Sequence, residues 1–140
     1  MEVIYMKVLE IDKYNIENIN YDTIIAVTVA EGGAMGEPNC FQVVDKDMQL
    51  YHSNLVDGQV SYDVLVKKFP VLKGFNCGCD QINKLNVGWK WFNLGGGNAL
   101  LVKDAYYEAF NNAIITQLGK DYKKGDLYLT WYNILKNVVS

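Results

Sequence analysis

Residues 23–31, TIIAVTVAE, constrain this chain more than any other stretch. Nearly every side chain in the run is β-branched or apolar, with no alternation of polar and apolar positions. A strand exposed on one face alternates, whereas a strand covered on both faces reads as one continuous apolar run. The pattern therefore predicts a central strand with packing partners above and below it.

The flanking segments fit around such a strand. Residues 3–11 are rich in β-branched residues and predict a first strand, followed by a polar stretch over 12–22. Residues 32–39 (GGAMGEPN) form a loop punctuated by three glycines and a proline. Residues 40–45 and 49–53 predict a hairpin across Lys46-Asp47-Met48. Ser61 is placed to cap a short helix over 62–69, which Pro70 ends. Residues 71–85 predict no regular structure. Residues 87–94 and 98–103 read as two strands joined through glycines; a rival parse starts a helix at Asn98. After a cap at Asp104, the residues Tyr106, Ala109, Phe110, Ala113, Ile114 and Leu118 recur at helical spacing, and Gly119 suits the end of that helix. Asp126 is placed to cap a second helix with an apolar face of Leu127, Trp131, Ile134, Leu135 and Val138. The predicted fold is α+β: a mostly antiparallel sheet of five or six strands with two C-terminal helices packed on one face. Residues 1–140 read as a single domain.

Composition narrows the function. All thirteen basic residues are lysine, and there is no arginine. Arginine supplies the planar fork that grips phosphates and guanine edges. Its absence, with a net charge of −3 and no long basic run, argues against nucleic-acid binding. The bias also suits coding from an AT-rich genome, and the chemical consequence is the same. The N-terminus has neither a basic region nor a long apolar run, and no stretch has the roughly 18 apolar residues of a membrane span. Three cysteines, an odd number, do not suggest a disulfide framework. These features lead to an expected cytoplasmic location with reduced thiols and no membrane partner.

Four groups of residues are candidates for chemistry. In GWKWFNLGGGN, strand alternation puts Trp89, Trp91 and Asn93 on one face and Lys90, Phe92 and Leu94 on the other. The adjoining Gly95, Gly96, Gly97 and Asn98 offer backbone N–H groups and an amide. Aromatic stacking with backbone donors can hold a flat ligand without arginine, but the same tryptophans can equally be core. The glycine string is neither a dinucleotide fingerprint nor a phosphate-binding P-loop, so no cofactor is expected. The second group is the loop containing Gly32, Gly33 and Gly36, bracketed by Glu31 and Glu37 at the end of the central strand. Its acids can bind a hydroxyl or cation, or simply be solvated. The third is Cys40, His52, Cys77 and Cys79, a complete tetrahedral zinc set by residue type, although C-x-C is not the usual knuckle spacing. No metal is expected, because small thiols are ordinary core residues. The fourth is the set of ten tyrosines, a residue type enriched at interfaces.

The leading expectation is a non-enzymatic binding protein. It would sequester a small, partly aromatic or nucleotide-like ligand between Trp89, Trp91, residues 95–98 and the glycines of the 32–36 loop, with Lys90 or Lys103 supplying any positive charge. The alternatives are a protein–protein inhibitor or immunity-type protein, and a small hydrolase or transferase using Glu31, Glu37, His52 or a cysteine. The chain is compatible with a homodimer.

Overall fold

A computed structural model describes residues 8–31, 38–54, 60–74, 88–95 and 97–139. Among these residues six strands form one sheet: β1 (Val8–Glu10), β2 (Ile24–Glu31), β3 (Pro38–Asp45), β4 (Leu50–Asn54), β5 (Trp89–Gly95) and β6 (Asn98–Lys103). Their order across the sheet is β1-β4-β3-β2-β6-β5. Every pairing is antiparallel except β1 with β4. Among the described residues three α-helices accompany the sheet: α1 (Tyr62–Lys68), α2 (Asp104–Leu118) and α3 (Lys124–Val139).

β2 lies inside the sheet, between β3 and β6. Ile24, Val27 and Val29 face one layer, built from Leu65 of α1, Phe69 and Leu72 just beyond it, and Ile16 and Ile19 from the connection leading into β2. Ile25 and Ala26 face the other layer, where α2 contributes Phe110 and Ile114 and α3 contributes Leu127, Ile134 and Leu135. The continuous apolar run thus reflects cover on both faces.

Local chemistry sets the connections. Between β1 and β2, the Asp12 carboxylate accepts from the backbone N–H of Tyr14 and of Asn15, both at 2.8 Å, while Asn15 Oδ1 accepts from Asp12 N–H at 2.9 Å. These reciprocal turns let a polar stretch reverse the chain without burying unpaired backbone. Ser61 Oγ accepts from Val64 N–H at 3.4 Å, at the start of α1. The glycine string joins two strands and does not start a helix. Gly95 and Gly97 adopt φ of 80° and 79°, a region that glycine enters without a Cβ penalty.

The helices differ from the sequence pattern in detail. Asp104 is the first residue of α2, not its cap, and no side chain caps that end. α3 begins at Lys124, so Asp126 lies within its first turn. Ala109 is exposed, whereas Tyr107, off the expected stripe, packs on Phe92 with ring centroids 5.6 Å apart. Gly119 ends α2 at φ 88°, as its sequence position suggests. No helix among the described residues is long and apolar enough to cross a membrane.

Phe110 is fully buried and meets Phe92 edge-on at 5.2 Å. Phe110→Ala is expected to lower unfolding free energy by about 3–5 kcal/mol in urea titrations. Ile115→Ala, at a partly exposed site on the same helix, should stay within about 0.5 kcal/mol.

Three phenols, Tyr21, Tyr51 and Tyr132, are held above the usual value of 10.0, chiefly by burial. Asp45 adds to the rise at Tyr51 and Tyr132. At Tyr21 a backbone hydrogen bond at Val71 and one with Trp89 oppose it. The folded state therefore holds these protons more tightly than the unfolded chain. That stabilisation is complete below the unfolded value and is lost as pH rises through the raised values. Stability by urea titration should fall once pH passes about 10, and Tyr21→Phe should make that fall shallower.

Candidate functional site

Cover over the helix-side face of the sheet is incomplete. On β2, Ile24 to Val27 are buried, but Thr28 and Ala30 on the helix side are only half-buried. Strand register continues this gap sideways. Thr28 pairs with Gln42 on β3, Gln42 with His52 on β4, and His52 with Glu10 on β1. The four residues form one row across four strands, at about 4.8 Å per strand. The first half of α3 passes over this region and presents Tyr128, Leu129 and Trp131.

The result is a cleft of about 280 Å³ between sheet and helix. Thr28, Gln42, His52 and Asn98 supply its polar floor. Tyr128, Leu129 and Trp131 form an apolar wall, and Leu94 lies alongside. The wall is held at two levels. Trp131 is buried and stacks edge-on against Tyr132 at 5.8 Å. The Tyr132 hydroxyl in turn donates to the Met48 carbonyl at 2.5 Å, tying α3 to the β3–β4 turn. Leu129 is 78% exposed, an unusual position for a large apolar side chain.

Polar groups of the floor are only partly satisfied by the described residues. His52 Nδ1 lies 3.0 Å from Glu10 Oε1, which fixes the ring's orientation. A carboxylate only accepts, so Nδ1 carries the hydrogen, and in the neutral form of the ring the other nitrogen, Nε2, is an acceptor. Neither Thr28 nor Gln42 has a side-chain hydrogen bond to the described residues. Asn98 donates from Nδ2 to the Gly95 carbonyl at 3.1 Å. No lysine among the described residues lines the cleft.

The residues singled out from sequence divide between this cleft and other places. Asn98 lines the cleft, and Gly95 pairs with it at the hairpin turn. Asn93 Oδ1 accepts from Gly95 N–H at 2.8 Å, bracing the turn. The alternation along β5 puts Trp89 and Trp91 on the α1 side of the sheet, opposite the cleft. Trp89 is buried there, 6.4 Å from the Tyr21 ring, with Lys103 Nζ 5.8 Å above its own ring. It occupies the end of the seven-residue β5 remote from Gly95, about 20 Å away. Trp91 is half-buried, and its indole N–H has no partner among the described residues. Lys90 is exposed on the helix side, while Lys103 donates to the Asp22 carbonyl at 3.0 Å.

Gly32, Gly33, Gly36, Glu37, Gly96, Cys77 and Cys79 lie outside the described residues. The strand ends flanking residues 32–37 do adjoin the cleft: Ala30 pairs with Asn98, and Glu31 with Pro38. Cys40 pairs with Asn54, two positions along from the Gln42–His52 pair. Among the described residues no three His, Cys, Asp or Glu groups gather as a metal site.

The row on the floor was not legible from local sequence, since its members come from four separate strands. The available signal was a single polar residue in the middle of each otherwise apolar strand: Thr28 in IIAVTVAE and Gln42 in CFQVV.

Gly95 shapes the cleft end and has φ 80°; an added Cβ would meet Lys124 Cβ at 3.6 Å, an ordinary contact. The cost of Gly95→Ala therefore comes from the backbone, about 1–2 kcal/mol by thermal or urea unfolding. Gly95→Asn should cost less, because asparagine tolerates this region. Comparison with known proteins adds no relative: no protein-family model, curated protein or solved structure matches this chain.

Proposed function

We propose that this chain is a non-enzymatic binding protein that holds a small, partly aromatic ligand in the cleft between the sheet and α3. The observation that carries this reading is the unequal lining of the cleft: a floor whose Thr28 and Gln42 side chains have no hydrogen-bond partner among the described residues, facing an apolar wall of Tyr128, Leu129 and Trp131. Small-molecule sites combine an apolar lining with a few placed polar groups, and about 280 Å³ is near the lower end of their size range. Burial of an apolar ligand face against the wall would drive binding, and the floor would set orientation.

The arrangement favours holding a ligand over transforming one. His52 is oriented by Glu10 in the manner of a general base. Along its row, however, the nearest hydroxyl is Thr28, two strands and about 10 Å away, beyond hydrogen-bond reach. Cytoplasmic sequestration of a metabolite is the corresponding cellular role.

Exposure of Leu129 at the rim of the cleft favours a second reading, a protein–protein inhibitor or immunity-type protein that docks on a target through this edge of α3. The two readings separate by mutation. Ligand binding should be lost in Gln42→Leu, as read by ligand-observed NMR with a library of neutral aromatic fragments. Docking on a target should survive Gln42→Leu and be lost in Leu129→Asp. Neither change should alter thermal stability by more than about 0.5 kcal/mol, since Leu129 is exposed and the Gln42 side chain has no partner among the described residues. If no fragment perturbs the indole N–H resonance of Trp131, the ligand reading is refuted.

A further inference from the structure

We infer that the cleft selects an uncharged amino-heterocycle, a free nucleobase or nucleoside with an amino group beside a ring nitrogen, and rejects phosphate esters of the same compound. This rests on the ligand-binding reading above and deepens it. The inference follows from which hydrogen-bonding groups remain unused, and from the charges around them.

Gln42 is central. Its carboxamide is half-buried mid-strand, lies between Thr28 and His52 in the row, and has no side-chain partner among the described residues. A carboxamide presents a donor and an acceptor side by side in one plane. The matching partner is an edge with an acceptor and a donor side by side, the pairing by which glutamine and asparagine read adenine. An amino group next to a ring nitrogen is such an edge. His52 narrows the choice. With Nδ1 donating to Glu10, the ring in its neutral form offers an acceptor at Nε2, and toward that form a ligand group beside the carboxamide on that side has to donate. An amino group has a second hydrogen for this purpose; a ring carbonyl has none. The apolar wall of Tyr128, Leu129 and Trp131 suits the face of a flat ring whose edge is on the floor.

Charge argues against a phosphate. The chain contains no arginine, and no lysine among the described residues lines the cleft. The Glu10 carboxylate, 3.0 Å from His52 Nδ1 at the end of the row, repels an anion. Among the described residues no lysine or arginine side chain lines the cleft to offset the loss of phosphate hydration.

The test is titration of the full chain with adenine, adenosine, cytosine, hypoxanthine, uracil and adenosine monophosphate, followed by the Trp131 indole N–H resonance and by calorimetry. At least one of adenine, adenosine and cytosine should bind with Kd below about 1 mM. The counterpart lacking the amino group, hypoxanthine for adenine and uracil for cytosine, should bind at least about tenfold more weakly. Where adenosine binds, its monophosphate should be weaker by a similar factor. Gln42→Leu should abolish the response, and Gln42→Glu, which removes the donor but keeps the shape, should weaken it at least about tenfold, with unchanged melting temperatures showing that both variants fold. Equal binding of the compounds with and without the amino group, or tighter binding of the monophosphate, overturns the inference. So does silence of every amino-heterocycle. If phenol, indole or benzamide then still perturbs Trp131, the ligand-binding reading survives without this selectivity; if they too are silent, both fall.

Discussion

The whole arrangement follows from the need to keep β2 out of water. Both of its edges are paired, and the side chains of its first half are buried on both faces. A strand of this kind is stable only when two layers of chain are laid over it. The connection from β1, with α1 and the turn after it, provides one layer, and the C-terminal helices provide the other. The hydrophobic contribution is large because none of this apolar surface is left at a solvent boundary. Cover ends towards Thr28 and Ala30, and the cleft opens where it ends. The candidate site is thus the unfinished margin of the core.

That origin explains the character of the cleft. A pocket at the margin of a core has apolar walls by inheritance. Its polar groups are whatever the strands place on the same face. Here these are a hydroxyl, a carboxamide and an imidazole, spaced by the strand separation and not by loop geometry. Groups carried on paired strands lose little freedom when a ligand arrives, because the ladder has already fixed their backbones. The turn at Gly95 and the tie from Tyr132 to Met48 hold the remaining sides.

Much of the fold was legible in the sequence because its signals are local. The continuous run of β2, the Ser61 cap, the glycine turn and the stripe of Phe110 and Ile114 each lie within a few residues. Helix starts were less legible, because Asp104 and Asp126 are plausible caps by type, while the observed starts are set by the strand end before α2 and the loop before α3. The site was least legible. Trp89 and Trp91 draw attention by size, yet the alternation that sets them together also turns them away from Asn98. Thr28, Gln42 and His52 gain meaning only through register between strands, which depends on how the whole sheet is paired.

The parallel pairing of β1 with β4 carries one more consequence. β1 is three residues long, sits at the sheet edge and closes a contact 42 residues apart in sequence when Glu10 reaches His52. Closing a contact of that span costs more chain entropy than closing the β3–β4 hairpin it leans on. Opening of the contact frees the His52 ring to rotate and exchange its hydrogen between nitrogens. The hydrogen-bonding sense of the floor is therefore coupled to the pairing of β1 with β4 at the sheet edge.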